Sequence, residues 1–317
     1  MAVTGAMVKT VDVLRPASRG SVDSLTMIPP TIESTVTSVT SLRHTGGLEL
    51  LTWAAFAGRG ADAFVTARPG GVSTGQYESL NLGLSVGDDP AAVVENRRRL
   101  AAAIGADLGD FVFTRQVHGA GVRVVAAADR GSGAVTLDES VPEGDVLVTA
   151  DPSVVLAILT ADCVPIVLLD PVAGVLACVH AGWRGTVARA CAAAVNAMTG
   201  LGAVPARIVA GIGPAIAADR YQVGDEVAAA AGESFGPDAI GDGPGAIACP
   251  DGTGRWLFDL PAANRLVLRD AGLQDANIHI TQQVTGSGTF FSDRSARPCG
   301  RLALVARLRP NSGGNSR

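Results

Sequence analysis

Short apolar segments recur along most of the chain, and their lengths and boundaries predict a series of buried strands. Four of them follow one another closely between 143 and 182, in EGDVLVTAD, SVVLAILTAD, VPIVLLDP and GVLACVHAG. Further strands are predicted in LELLTWAAF, ADAFVTARPGG, RIVAGIGPAI and RLALVARL, and two short ones in FVFTRQVHGAGVRVVAAA. Runs of this length, bounded by glycine, proline and acidic residues, are typical of strands.

Helical segments lie between these strands. Asp89 and Pro90 stand at the N-cap and the first position of a predicted helix, PAAVVENRRRLAAAIG, and Gly105 marks its end. An alanine-rich segment predicts a helix from about Thr186 to Met198, and GDEVAAAAGESF and PAANRLVLRDAG predict two more. Strands and helices alternate without a strict βαβ rhythm. We therefore expect an α/β fold, in which a single domain contains a mixed β-sheet flanked by helices.

The two ends of the chain differ in character from the rest. Residues 1–45 are rich in Ser, Thr and Pro and show no sustained periodicity, which predicts a disordered or irregular N-terminal extension. Residues 46–310 are expected to form one catalytic domain, and residues 311–317 a flexible tail.

Charge and composition narrow the possible functions. A net charge of −5 argues against a nucleic-acid-binding protein, which usually presents a basic face. The longest apolar run is interrupted by Asp162 and Pro165, and the N-terminus lacks a signal-peptide layout. We therefore expect a cytoplasmic protein that has no membrane partner. The five cysteines form no close-spaced pair and do not predict a disulfide framework. The sequence leaves the oligomeric state open.

Three polar residues stand where apolar segments end, namely His118 in QVHG, Cys163 in TADC and His180 in VHAGWRG. A thiolate and two imidazoles suit zinc, and three protein ligands leave a fourth position for water or substrate. Cys163 and His180 are separated by one strand–turn–strand segment, which can place them on neighbouring strands. The spacing alone also allows a simpler interpretation, in which each histidine is a hydrogen-bonded structural residue and the cysteine packs in the core.

The segment HAGWRGT lies where a strand passes into a helix. Glycines at such a turn expose backbone N–H groups, and the start of a helix attracts anions. Arg184 can then bind a phosphate or carboxylate through two parallel hydrogen bonds. The alternative is an ordinary helix start with an arginine in solvent.

Taken together, these segments resemble the YfiH family, once called the laccase-domain or multicopper polyphenol oxidase family. The resemblance spans about residues 50 to 308 and includes TARPGGVSTGQYESLNLGLSVGDDPAAVVENR, TRQVHGAGV, GVLACVHAGWRGTV, GIGPAIAADRYQVGDEV and FFSDR. It implies a single α/β domain and a zinc-dependent enzyme that phosphorolyses adenosine, inosine and methylthioadenosine and deaminates adenosine. It also implies that His118, Cys163 and His180 bind Zn²⁺, and that the partners are a nucleoside and phosphate.

The sequence departs from the family pattern at two places, both on the C-terminal wall of the expected pocket. Ile280 and Thr281 stand where the family often has Cys-Thr, and Asp293, Arg294 and Ser295 stand where Arg-Arg-Asp is usual.

The number of histidines excludes the multicopper oxidase activity that the older family name suggests. Copper(II) centres of a multicopper oxidase need many nitrogen ligands, and the chain has four histidines.

Two reactions are expected from this pattern. In phosphorolysis, phosphate bound by Arg184 and the helix start, with Arg68 as a second cation, attacks the ribose C1′. In deamination, a zinc-activated water attacks C6 of adenine, and Asp162 is the candidate catalytic proton carrier. Asn81 in SLNLG is the candidate for a hydrogen bond to the substrate. Asp162 can instead orient a metal ligand, and Asn81 can instead shape a turn.

Two other functions remain compatible with the sequence. The first is a cysteine hydrolase or amidase acting on peptidoglycan precursors, with Cys163 as nucleophile and His180 or His118 as its base. Some members of the family are assigned to such editing of cell-wall precursors. The second is a zinc-stabilised binding protein without turnover.

Overall fold

The computed structural model describes residues 39–138 and 143–310, which all fall in one compact unit. Residues 1–38 of the predicted extension and the predicted tail, 311–317, lie outside the described residues. In chain order, the strands are β1 (Thr40–Thr45), β2 (Leu48–Trp53), β3 (Ala61–Thr66), β4 (Phe111–Phe113), β5 (Val122–Val124), β6 (Val146–Thr149), β7 (Val155–Thr160), β8 (Val164–Asp170), β9 (Val175–Ala181), β10 (Val209–Ile212), β11 (Gln222–Gly224), β12 (Ala248–Pro250), β13 (Arg255–Phe258), β14 (Ile278–Ile280) and β15 (Leu302–Leu308). The α-helices are α1 (Pro90–Ala103), α2 (Trp183–Val187), α3 (Ala190–Gly200), α4 (Asp225–Phe235) and α5 (Leu260–Asp270).

The strands form two large sheets and one small sheet. Each large sheet has six strands, in the orders β1-β2-β3-β15-β7-β4 and β14-β10-β8-β9-β6-β5, and the small sheet has the order β11-β13-β12. Both large sheets mix parallel and antiparallel pairs. The predicted α/β fold is therefore confirmed, with the correction that the described strands form three sheets and not one. Sequence order could not show this, because the neighbours β4 and β5 belong to different sheets.

The sheets and helices stack in layers around the core. Strands β8 and β9 are buried at every position, because side chains on one face meet the first sheet while those on the other face meet α3 and α5. Val167 and Ile166 illustrate this alternation, since they belong to different apolar clusters. Helix α1 covers the outer face of the first sheet through Leu100. The continuous apolar runs of the sequence are thus central strands with two covered faces.

Strand β1 corrects the predicted boundary of the N-terminal extension. Residues 40–45 were expected to be irregular, but they pair antiparallel with β2 along its whole length, from Thr40 opposite Trp53 to Thr45 opposite Leu48. This strand lies at the edge of the sheet and its four central residues are exposed. An exposed edge strand needs no apolar alternation, so the sequence lacked the usual signal.

The predicted helix from Thr186 to Met198 is two helices. Helix α2 begins earlier, at Trp183, and α3 begins after Arg189, whose backbone is left-handed at φ 60°. The Arg189 guanidinium forms an ion pair with Asp270. Arginine is a good helix former, so the sequence alone does not indicate a break there. Helix α1 agrees with its prediction, and the Asp89 carboxylate accepts a hydrogen bond from the N–H of Ala91 at 2.9 Å.

Arg97 on α1 is 1 % exposed and holds two loops against the first sheet. Its guanidinium donates hydrogen bonds to the backbone carbonyls of Leu82, Gly133 and Ala134, at 2.6 to 2.9 Å. It also lies over the Phe113 ring, 3.9 Å from the centroid. Among the described residues, Arg97 is the donor found for each of these three carbonyls.

We expect Arg97→Met to lower the free energy of unfolding by about 2–4 kcal/mol, because buried carbonyls lose their donors. Denaturant unfolding measures the change. Arg98→Met is the matched control, since Arg98 is the next residue and is exposed. Equal stability of the two variants would contradict this role.

Candidate metal centre

The three residues predicted as metal ligands come together at one point. A ring nitrogen of His118, a ring nitrogen of His180 and the Sγ of Cys163 all lie within 4.8 Å of one another. Ligand atoms around a tetrahedral zinc lie roughly 3.5 Å apart. A small closing movement is therefore enough for all three atoms to reach one ion. Within the described part of the chain, this is the one such group of histidine, cysteine and acidic side chains.

Two of the three residues are placed by the β8–β9 hairpin. Cys163 directly precedes β8, and His180 lies near the end of β9. The strand register pairs Val164 with Ala181 and Pro165 with His180, so the cysteine and histidine lie side by side. The strand–turn–strand segment between them brings them together as the sequence predicts.

The carboxylate of Asp145 joins the third residue to this pair. Its Oδ1 lies 2.7 Å from Nδ1 of His180 and accepts the backbone N–H of His118 at 2.9 Å. Its Oδ2 accepts the N–H of Gly119 at 2.7 Å. Asp145 is fully buried just before β6. One carboxylate thus orients the His180 ring and positions the loop that carries His118. Orientation through Nδ1 leaves Nε2 of His180 as the atom that could bind a metal.

Gln116 anchors the His118 loop on its other side. Its amide group donates to the carbonyl of Leu159 at 2.8 Å and accepts the N–H of the same residue at 2.7 Å. His118 itself has a left-handed backbone at φ 62°. This conformation costs a non-glycine residue about 1–2 kcal/mol and persists because the loop is held at both sides.

Sequence reasoning did not identify Asp145 or Gln116. The available signal for Asp145 was a charged residue at the start of a fully apolar strand, in GDVLVT. Gln116 carried no signal, because its partner is the backbone of a strand distant in sequence.

Two glycines of HAGWRG lie where a larger side chain would overlap neighbouring atoms. A Cβ on Gly182 would lie 2.9 Å from Sγ of Cys163 and 3.1 Å from Cδ2 of His118. A Cβ on Gly185 would lie 2.9 Å from the carbonyl oxygen of Gly119. Both glycines are buried, and Gly182 has an ordinary backbone at φ −76°. The sequence indicated glycines that expose N–H groups, whereas the structure shows glycines that let two ligands pack against a helix start.

The electrostatics of the group favour the cysteine thiolate. Burial raises the pKa of the Cys163 thiol, but the neighbouring His180 and His118 rings outweigh burial and lower it to about 6. Burial lowers the pKa of His180, but Cys163 and Asp145 raise it overall. Burial likewise raises the pKa of Asp145, and its hydrogen bonds from His180 and Gly119 bring it below the ordinary value. The thiolate is the form that binds a metal or acts as a nucleophile.

Asp162, predicted as catalytic, is adjacent to Cys163 and has a left-handed backbone at φ 89°. Its Oδ1 accepts a hydrogen bond from the hydroxyl of Thr285, and its Oδ2 accepts the backbone N–H of Arg294 at 2.6 Å. Both oxygens are therefore engaged with the C-terminal loop. These contacts suit the orienting role, and the catalytic role stays a prediction.

Asn81, predicted to bind substrate, is buried and bonded to protein groups. Its Oδ1 accepts the N–H groups of Gly83 and Arg301, at 2.9 and 2.8 Å, and its Nδ2 donates to Asp88 at 2.9 Å. The structure thus shows Asn81 joining three loop segments. Its role in substrate binding stays a prediction.

Arg68 and Arg184, the two predicted phosphate-binding cations, lie in different surroundings. Arg184 is exposed on α2, with its guanidinium 4.3 Å from the Trp183 ring centroid. Arg68 lies over the Phe291 ring, 5.1 Å from its centroid, and donates to the carbonyl of Glu78. It borders a cavity of about 270 Å³. The other lining residues are Gln76, Gly286, Gly288, Phe290, Phe291, Ser292, Ser295, Ala296 and Cys299, none of which is a predicted metal ligand.

The cysteines and helices give two further observations. All five cysteines are free thiols. Among the described residues, no helix has the length and apolar character needed to cross a membrane.

Residues 62–309 match the family described as multi-copper polyphenol oxidoreductase laccase. The fold is also that of solved YfiH-type proteins. The crystal structure of YlmD from Geobacillus stearothermophilus aligns with a TM-score of 0.80 and 36 % identity, covering 86 % of this chain and 100 % of that chain. That of YfiH from Bacillus licheniformis has a TM-score of 0.78, 31 % identity, and coverage of 84 % and 99 %. The chain belongs to the YfiH family.

Relatives in the YfiH family carry names that refer to nucleosides. A protein of Deinococcus radiodurans, named purine nucleoside phosphorylase, is 43 % identical over 244 residues, which cover 77 % of this chain and 87 % of the relative. Adenosine deaminase RL5, from an unknown prokaryotic organism, is 41 % identical over 240 residues, covering 74 % and 88 %.

We expect Asp145→Asn to weaken binding of Zn²⁺, the metal that the sequence predicts, by about 10- to 100-fold, because an amide has one acceptor oxygen and cannot accept from both the His180 ring and all the loop N–H groups. Competition with a chromophoric chelator measures the affinity. Glu143→Gln, an exposed change two residues away, is the control. A cooperative thermal transition verifies that the variant is folded. An unchanged affinity in the folded variant would show that Asp145 does not support the centre.

Gly182→Ala is expected to lower zinc affinity at least as strongly, because the added methyl group overlaps Sγ of Cys163 and displaces the His118 ring. The same chelator competition reports the effect. Gly200→Ala, at the end of α3 with no atom within 4 Å of the added carbon, is the matched control. Equal affinities of the two variants would refute the steric argument.

Proposed function

We propose that this chain is a zinc-dependent purine nucleoside phosphorylase that also deaminates adenosine and phosphorolyses methylthioadenosine. It is an enzyme, since relatives about 40 % identical over most of its length carry the names purine nucleoside phosphorylase and adenosine deaminase. The observation that carries the proposal is the convergence of His118, Cys163 and His180 at one point. A cytoplasmic location, with a nucleoside and phosphate as small-molecule partners, is part of the proposal.

The donor set fits zinc. Two imidazoles and a thiolate are the ligands that zinc prefers, and the Asp145 carboxylate behind His180 is the support that zinc-binding histidines usually have. His118 is exposed while His180 is buried, so access to the centre is on the His118 side. A zinc ion bound here would act as a Lewis acid, which polarises an oxygen atom of the substrate or lowers the pKa of a bound water molecule.

In phosphorolysis, a phosphate oxygen forms a bond to the ribose C1′ while the bond from C1′ to N9 of the purine breaks. The purine keeps the electron pair of that bond and takes up a proton. Arg184 stands on the first turn of α2, two residues after Gly182, which packs against Cys163 and His118, and it is the group proposed to hold the phosphate. Arg68 is proposed as a second cation and Asn81 as a substrate-binding residue.

In deamination, water adds its oxygen to C6 of the purine and ammonia leaves with a proton from the water. Asp162 is the proposed proton carrier, since it adjoins Cys163. It would have to exchange its contact with Thr285 or Arg294 to do so.

A cysteine hydrolase is the second candidate, and one observation favours it. The His180 ring interacts with both other residues, since the Asp145 carboxylate bonds to its Nδ1 at 2.7 Å and the ring is also hydrogen-bonded to Cys163. This is the order of a nucleophile, a base and a group that orients the base. A peptidoglycan precursor amide is the substrate proposed for that case.

Metal content separates these two functions. We expect purified wild-type protein to contain about one zinc per chain by mass spectrometry and Cys163→Ala to lose it. With adenosine and phosphate, wild type should release adenine or form inosine, and Cys163→Ala should not. Cys249→Ala is the matched control, because Cys249 is a free cysteine on β12 in the small sheet and is not one of the three candidate ligands.

Two results would contradict the proposal. Metal-free wild type whose Cys163 reacts rapidly with an alkylating reagent would favour the hydrolase. Tightly bound zinc without turnover of any purine nucleoside would indicate a zinc-stabilised binding protein.

A further inference from the structure

Tyr221 lies just before β11, and its ring is held on two sides. The Phe258 ring stacks on it at a centroid distance of 6.4 Å, and the Arg294 guanidinium lies over it, 5.2 Å from the centroid. The Arg294 guanidinium also donates to the carbonyl of Gln222 at 3.1 Å. The ring is therefore fixed between a buried aromatic residue and a cation that is itself anchored.

The hydroxyl of this fixed ring forms no hydrogen bond with any residue in the described part of the chain. Three side-chain atoms in that part of the chain are fully buried without a partner, namely Nε1 of Trp53 and the hydroxyls of Thr114 and Thr160. The Tyr221 hydroxyl is not one of them, so it is not sealed inside the protein. A phenol that packing holds in place but that has no protein partner can bond to solvent or to a ligand.

A continuous path connects Tyr221 to the metal-binding residues. The backbone N–H of Arg294 donates to Asp162, and Asp162 adjoins Cys163. Burial raises the pKa of Tyr221, the negative charge of Cys163 adds to this, and the total reaches about 12 despite Arg294 and Arg184. Asp162 adds to this rise as well. Arg184 approaches the same residues from α2, because it follows by two residues Gly182, which packs against Cys163 and His118.

Two acidic groups and two guanidinium groups act on this hydroxyl, but the acidic groups are already engaged. Both oxygens of Asp162 accept hydrogen bonds, from Thr285 and Arg294, and Cys163 is the proposed metal ligand. The groups left to bind a ligand are therefore donors, which points to an oxyanion. A guanidinium has N–H groups and no acceptor, and a protonated phenol adds one O–H. A purine base would need acceptors as well as donors, whereas phosphate accepts from all of them. Within the described residues, neither Arg184 nor Arg294 forms an ion pair with an acidic side chain, so both keep N–H groups available.

We propose that the Tyr221 hydroxyl donates a hydrogen bond to the phosphate co-substrate, which it holds together with the guanidinium groups of Arg184 and Arg294. This inference rests on the proposed function and adds Tyr221 and Arg294 to the phosphate-binding groups proposed there. Arg68 borders the cavity beside Phe291.

Tyr221→Phe tests the proposal, and Tyr77→Phe is its matched control. These are the two tyrosines of the chain, and the Tyr77 hydroxyl already donates to the carbonyl of Val86 at 2.7 Å. We expect Tyr221→Phe to raise KM for phosphate about 10-fold or more, because one hydrogen bond to a charged group is lost. The KM for the nucleoside should change less than about twofold. Arg294→Gln should also raise KM for phosphate.

A direct binding measurement separates failure of this inference from failure of the proposed function. Phosphate should raise the Tm of wild type and Tyr77→Phe, relative to chloride at equal ionic strength, and should raise that of Tyr221→Phe much less. Equal KM for phosphate and equal phosphate-dependent Tm shifts in the two variants would overturn the proposal. If wild type does not phosphorolyse nucleosides, the proposed function fails, and the Tm comparison still decides whether Tyr221 binds phosphate.

Discussion

The buried carboxylate of Asp145 is the interaction on which the candidate site depends. It bonds to the ring of His180 and to the backbone of the loop that presents His118, and so it unites residues from three separate parts of the chain. An isolated carboxylate would be expensive to bury, but this one has four hydrogen-bond partners, and these keep it ionised. The Asp145 carboxylate thus positions the residues of the site, and the hydrogen bonds from those residues stabilise its negative charge.

The surrounding layers make the centre rigid on one side and accessible on the other. Strands β8 and β9 are covered on both faces, so Cys163 and His180 have little freedom to separate. His118 comes from an exposed loop, and glycines let that loop and the start of α2 approach within contact of the thiol. A reacting molecule can therefore approach from the His118 side while the other two ligands are held by the core.

The residues of the candidate site do not suit the oxidase activity that the description of the family suggests. The matching family is described as a laccase, yet the described residues offer one group of two histidines and a cysteine. That set suits a single zinc ion and nucleoside chemistry of the kind that its relatives' names indicate. The loop that follows Thr285 has contacts with both Asp162 and Tyr221 through Arg294, so it joins the candidate metal ligands to the proposed phosphate-binding residues.

The amino-acid sequence by itself determined the α/β class, most of the long strands, helix α1 and the identity of the three candidate ligands. Those features depend on local periodicity, caps and residue chemistry. It did not reveal edge strand β1 or the break at Arg189, because exposed or left-handed segments carry no apolar pattern. It did not reveal the division into three sheets either, because strands adjacent in sequence, such as β4 and β5, pair in different sheets. Only the tertiary structure decided which polar groups serve the centre. Asp145, Gln116 and Tyr221 have partners that are distant in sequence, and no local pattern encodes a contact between such segments.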